Sequence, residues 1–165
     1  MKTNRLFQIV VLAVVAVFLA SGCIKTDEEQ QTEYTLAREL LLTQSWIDAM
    51  VAKKLDIDTT STGLLYIVDK EGTGEKITAG KTVTVKYATY FVEGTYCDSS
   101  EDYTFVHRGT TSSQITGWNE AIDVMKKGET AVFLVPSSKA YGASGSPLVP
   151  PYTALLFYIQ VVDVQ

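Results

Sequence analysis

Few side chains in this 165-residue sequence could make or break a covalent bond. His107 is the single histidine, so no histidine cluster can hold a metal, and two cysteines cannot build a thiolate site. A Ser-His-acid triad would have to use His107, which sits where a strand should end and has no G-x-S-x-G partner. The run GEKITAGKT (74–82) has five residues between its glycines where a phosphate-binding loop needs four, and β-branched alternation follows instead of a helix. The chain therefore lacks the usual tools of covalent or metal chemistry, and no cofactor is implied. What remains is a concentration of aromatic residues near turns: Tyr87, Tyr103, Phe105, Trp118, Tyr141, Tyr152 and Phe157. Any one of them alone would read as ordinary core.

Two kinds of element must position them. Residues 33–55 read as one helix, with Leu36, Leu40, Ile47 and Val51 at helical spacing, Ala37 and Leu41 widening the stripe, and no Gly or Pro. That stripe needs a partner: the following domain, a second copy of the chain, or a membrane surface. The mixed charges favour the first two. Residues 56–62 (DIDTTST) read as a polar linker. From residue 63 the pattern turns to strands, at 64–68, 81–91, 103–107, 130–135 and 154–164, with Val83, Val85 and Tyr87 alternating onto one face. One short helical stretch interrupts them at 118–125, its apolar side made by Trp118, Ala121, Ile122 and Met125. This pattern predicts an α+β domain over 63–165, an antiparallel β-sheet wrapped around one short helix and preceded by an N-terminal helix.

The first residues read as a targeting segment. Lys2 and Arg5 precede about 15 mostly apolar residues, too few to cross a bilayer core that needs roughly 20. Small residues then lead to Cys23, in a run (Leu19-Ala20-Ser21-Gly22-Cys23) that resembles a bacterial lipobox. On that reading residues 1–22 are a cleaved lipoprotein signal peptide and Cys23 is acylated. Residues 23–32 are then a polar, acidic tether. Loss of Lys2 and Arg5 leaves 12 basic against 19 acidic residues, a net charge of about −7. That balance argues against nucleic acid and against electrostatic attachment to anionic lipid, so the acyl chains would hold the protein to the membrane. The implied location is the cell envelope, at the outer membrane, on its periplasmic or surface face. Cys97 would remain the single free thiol, so no intramolecular disulfide can form.

Across 63–165, short pieces recur in a familiar order: Gly72-Thr73-Gly74, the run 80–87 (GKTVTVKY), Cys97-Asp98-Ser99-Ser100, Ile115-Thr116-Gly117-Trp118, the run 125–129 (MKKGE), Ala140-Tyr141-Gly142 with Gly145, and 150–157 (PPYTALLF). In this order and at this spacing the chain resembles the FKBP-type peptidyl-prolyl cis–trans isomerases. The resemblance implies a shallow aromatic pocket for a proline ring. Trp118 would be its floor, Tyr87, Tyr103 and Phe157 its walls, and Ile115 and Val149 aliphatic contacts. The Ile115 backbone N–H and the Tyr141 hydroxyl would hold the bound peptide, and Asp98 would sit at the rim beside Tyr87. It also implies activity on proline-containing polypeptides, in support of the folding of exported proteins. The sequence departs from the family at Cys97, where Phe is usual, at Glu101 and Asp102, where a basic residue is usual, and at Gln114, where an apolar one is usual. Those departures leave two other readings open, a non-catalytic module that binds a peptide or partner and a holdase chaperone. Residues 33–55 would be the assembly helix of the first, and the second would use the same pocket edge and that helix.

Overall fold

The computed structural model describes residues 34–165. The leader, Cys23 and the tether lie outside the described residues. Beside two short 3-10 turns (Gly109–Thr111 and Ser137–Lys139), two helices and six strands follow in order among the described residues: α1 (Leu36–Ala52), β1 (Asp58–Thr59), β2 (Leu65–Lys70), β3 (Thr82–Phe91), β4 (Tyr96–Val106), α2 (Thr116–Val124), β5 (Thr130–Val135) and β6 (Leu155–Val164). The strands form one antiparallel sheet in the order β1-β2-β5-β6-β3-β4. The fold is thus the α+β arrangement expected, with the strands within a few residues of their predicted bounds except β4. The 56–62 segment does more than link, because Asp58 and Thr59 pair with Tyr66 and Leu65 and extend the sheet by a short edge strand.

Strand side chains alternate between faces, so the sheet separates two cores. On the inner face Val83, Val85, Ala131, Phe133, Leu155, Ile159 and Val161 pack against Trp118, Ala121, Ile122 and Met125 of α2 and its end. β5 lies centrally and is buried along its whole length. On the outer face Ile67, Ala88, Val132, Leu134, Leu156 and Tyr158 are covered by Trp46 and Met50 of α1.

The packed side of α1 is not the predicted stripe. Glu39, Trp46 and Met50 are its buried residues, while Leu36, Leu40, Leu41 and Val51 are more than half exposed. Positions 39, 46 and 50 share one helical face, and two large side chains on it outweigh a stripe of leucines lying further round. The helix starts at a Thr35 cap, whose hydroxyl accepts the Arg38 N–H at 3.2 Å, and ends at Ala52, short of residue 55. The Arg38 guanidinium reaches Glu93 in the β3–β4 turn at 3.3 Å. Among the described residues no helix is long and apolar enough to cross a membrane.

Candidate functional site

A cleft of about 260 Å³ opens on the inner face of the sheet, between β3, β4, β6, α2 and the long β5–β6 connection. Its floor is Trp118, third residue of α2 and 5% exposed. Four rings pack edge-on or tilted against that indole: Phe157 at 5.6 Å between centroids, Tyr87 at 5.3 Å, Phe105 at 5.8 Å and Tyr103 at 5.9 Å. The positive edges of some rings meet the negative faces of others, the arrangement aromatic quadrupoles prefer, and the floor is rigid as a result.

α2 can bring Trp118 this close because Gly117 precedes it. A β-carbon at Gly117 would lie 2.3 Å from Val135 Cγ1 on β5. The register of β4 supplies the rim. Between Thr89 and Tyr90 the β3–β4 pairing slips, with Thr89 opposite Asp98 but Tyr90 opposite Tyr96, so Cys97 is an extra residue on its strand. Such a bulge lets two successive residues face one side, and both Cys97 and Asp98 line the cleft. A second slip, between Val85 and Tyr87, falls at Glu101 and Asp102 and returns Tyr103 to the inner face.

The polar groups are few and specific. The Tyr87 hydroxyl donates to Asp98 Oδ2 at 2.8 Å, while Oδ1 accepts the Ser99 N–H at 2.8 Å. Burial, then the hydrogen bond to Asp98 and its charge, push the Tyr87 phenol well above its ordinary range. Tyr141, from the β5–β6 connection, is 40% exposed, and its hydroxyl makes no hydrogen bond among the described residues. Burial, and then Cys97 and Asp98, raise its phenol too. The Cys97 thiol is raised by burial and by Asp98, which argues against a thiolate there. Ile115 caps α2; its carbonyl accepts from Trp118 and Asn119, while its own N–H has no partner among the described residues. The cleft therefore offers an apolar ring-sized floor and, among the described residues, an unengaged Tyr141 hydroxyl and an unengaged Ile115 N–H.

All nine pocket positions expected from the sequence line this one cleft: Tyr87, Cys97, Asp98, Tyr103, Ile115, Trp118, Tyr141, Val149 and Phe157. Phe105 stands behind the floor, stacked on Tyr103 at 5.2 Å. Four lining residues were not expected as site residues: Thr89, Ser113, Gln114 and Leu155. Thr89 could have been found, since it follows Tyr87 by two on the same strand. Its hydroxyl is buried without a partner. Gln114 marks itself in the sequence only as a departure from the family; its Nε2 donates to the Tyr103 hydroxyl at 3.0 Å, so two polar groups satisfy each other at the cleft edge. His107 is buried and its Nε2 lies 2.6 Å from Asp123 Oδ1, tying the end of β4 to α2 away from the cleft.

A family model described as FKBP-type peptidyl-prolyl cis-trans isomerase matches residues 73–162. The chain belongs to that family. It is 35% identical over 118 residues to the FKBP-type isomerase FkpA of Escherichia coli K12, covering 69% of this chain and 42% of that protein. It is 32% identical over 113 residues to FkpA of Buchnera aphidicola, covering 68% of this chain and 45% of that one. The chain thus spans under half the length of these curated relatives. Among solved structures, a peptidyl-prolyl isomerase of Pseudomonas syringae superposes with a TM-score of 0.65 at 30% identity, over 86% of this chain and 99% of that one. Escherichia coli FkpA superposes with a TM-score of 0.62 at 27% identity, over 100% of this chain and 84% of that one.

Proposed function

We propose that this chain catalyses cis–trans isomerisation of X-Pro bonds in proline-containing polypeptides, assisting the folding of exported proteins. The observation that carries the reading is the Trp118 floor walled by Tyr87, Tyr103 and Phe157, with an unengaged hydroxyl at Tyr141 and an unengaged N–H at Ile115 above it. Rotating an X-Pro bond breaks amide resonance, with a barrier of about 18–20 kcal/mol and uncatalysed times of tens to hundreds of seconds. No bond is made or broken, so an inventory without nucleophile or metal suffices.

A proline ring seated on Trp118 carries its amide into a dry aromatic surround. The planar amide has charge separation that water would solvate; the twisted one has lost it. Exchanging water for ring faces therefore raises the planar state more than the twisted one. Donation from the Ile115 N–H and the Tyr141 hydroxyl to peptide carbonyls holds the chain in its turned geometry. The Tyr87–Asp98 bond fixes one wall and the rim. In the full chain, Trp118→Ala should reduce acceleration of a short X-Pro peptide by at least about tenfold, the effect of losing a large buried ring contact. Unchanged acceleration would remove this cleft from the account.

The same proposal places the protein at the cell envelope, held to the outer membrane by acyl chains on Cys23. Cys23→Ser should abolish incorporation of labelled palmitate and release the chain from the membrane fraction; labelling that persists would refute the anchor. The exposed Leu36, Leu40, Leu41 and Val51 of α1 support a homodimer through residues 33–55. Sedimentation of the full chain should then give a dimer that Leu40→Glu dissociates, and a monomeric wild type would refute it.

A further inference from the structure

The connection that presents Tyr141 is held from the far side of the sheet. Glu39 lies in the first turn of α1, among the residues packed on the outer face, and is 4% exposed. Acidic side chains are almost never so buried unless partnered. Both its carboxyl oxygens accept from Ser137, 98 residues further on: Oε1 from the backbone N–H at 2.6 Å and Oε2 from the hydroxyl at 2.5 Å. Ser137 opens the 3-10 turn Ser137–Lys139 just beyond β5. Its carbonyl accepts the N–H groups of Ala140 at 2.9 Å and Gly142 at 2.8 Å, the two residues that flank Tyr141. The Gly142 carbonyl then accepts from Tyr152 at 2.9 Å, and that of Tyr141 from Gly145 at 3.1 Å. A continuous chain of hydrogen bonds thus runs from an N-terminal helix, outside the span the family model matches, to the backbone on either side of the Tyr141 side chain.

We propose that Glu39 is a positioning residue for Tyr141, which makes α1 part of the machinery of the cleft and not only a cover for the sheet. The inference rests on the isomerase reading for its kinetic consequence. Among the described residues the Tyr141 hydroxyl has no hydrogen bond to fix it, so its location is set by the backbone that carries it. Lys139 pairs with Glu120 of α2 at 2.7 Å and anchors the same turn from the inner side. Glu39 and Glu120 therefore clamp it from opposite faces. Among the described residues, Glu39 gives Ser137 its only side-chain partner.

The test uses the full chain. Glu39→Ala removes both acceptors. Glu39→Gln keeps a carbonyl oxygen for the Ser137 N–H and offers an amide N–H to its hydroxyl oxygen. Glu39→Ala should lower kcat/KM on an X-Pro peptide by about tenfold, part of what a displaced positioning group costs, and Glu39→Gln should restore most of it. In a Tyr141→Phe background, Glu39→Ala should change the rate by less than about twofold, since the hydroxyl it positions is gone. Equal losses in both backgrounds would overturn the role. Hydrogen exchange over residues 137–145 supplies a second readout, expected to quicken in Glu39→Ala while 116–124 stays protected. Unaltered exchange over 137–145 would also overturn the role. A wild type without isomerase activity would sink the isomerase reading alone, because exchange still reports the clamp. If Glu39→Ala does not fold, Ser137→Ala removes one of the two bonds and carries the same tests.

Discussion

Gly117 sets how closely α2 lies on the sheet, and Gly117→Ala is the sharpest packing test of the pocket floor. The added β-carbon would stand 2.3 Å from Val135 Cγ1, 3.2 Å from Cγ2 and 3.3 Å from the Lys139 carbonyl. Carbon pairs settle at about 3.5–4.0 Å, so the nearest contact is short by more than about 1 Å. Val135 is fully buried in β5 within a close-packed core and has nowhere to withdraw. The helix must therefore lift by about 1 Å. Overpacking of this kind costs about 1–3 kcal/mol, and the better helix propensity of alanine, about 1 kcal/mol, offsets only part of it. Trp118 is the next residue, so the floor moves with the helix, and a 1 Å misplacement of a positioning surface can cost on the order of 100-fold in rate. Urea denaturation and kcat/KM on an X-Pro peptide should both fall. Adding Val135→Ala removes the clashing methyls and should recover much of the rate. Wild-type kcat/KM in Gly117→Ala, or a loss that Val135→Ala does not relieve, would refute the packing argument.

Further expectations concern the wall, the outer core and pH. Cys97→Phe rebuilds an aromatic wall at a position that lines the cleft and should raise kcat/KM by up to about tenfold, given contacts worth roughly 1–3 kcal/mol; an unchanged rate would mean that the wall does not touch substrate. Trp46→Ala empties the centre of the α1–sheet interface and should lower stability by about 3–5 kcal/mol, read as a lower urea midpoint. The raised phenols of Tyr87 and Tyr141 favour the fold fully below the ordinary tyrosine value of about 10, and that contribution is lost as pH rises through their higher folded values. Both hydroxyls should therefore stay protonated, and kcat/KM flat, from pH 7 to about 10. A decline centred below pH 9 would show that another group controls the rate.

The inner face was legible because it obeys period two: Val83, Val85 and Tyr87 announce themselves by alternation, and residues 130–135 (TAVFLV) by their β-rich composition. Motif order then carried Trp118, Tyr141 and Phe157 to one place. The bulges on β4 were not legible, since an extra residue at Cys97 leaves no compositional mark and is defined only against β3. The packed face of α1 was not legible for a different reason. A stripe count treats Glu39 as a solvent-facing residue, yet its carboxyl finds two donors on Ser137 and its face holds Trp46 and Met50. A buried carboxyl whose partner lies 98 residues away has no local signature. The exposed leucines are what the pattern found, and this fold leaves them uncovered.

On the proposed reading, the Trp118 cleft takes a proline and lets its peptide bond rotate. Magnetisation exchange between the cis and trans forms of a short X-Pro peptide, measured by NMR with catalytic amounts of the full chain, tests it without a coupled protease. With wild-type protein, exchange should move from tens of seconds to well under a second, and Trp118→Ala should remove most of the effect. Exchange that stays at the uncatalysed rate in the presence of wild-type protein would contradict that reading.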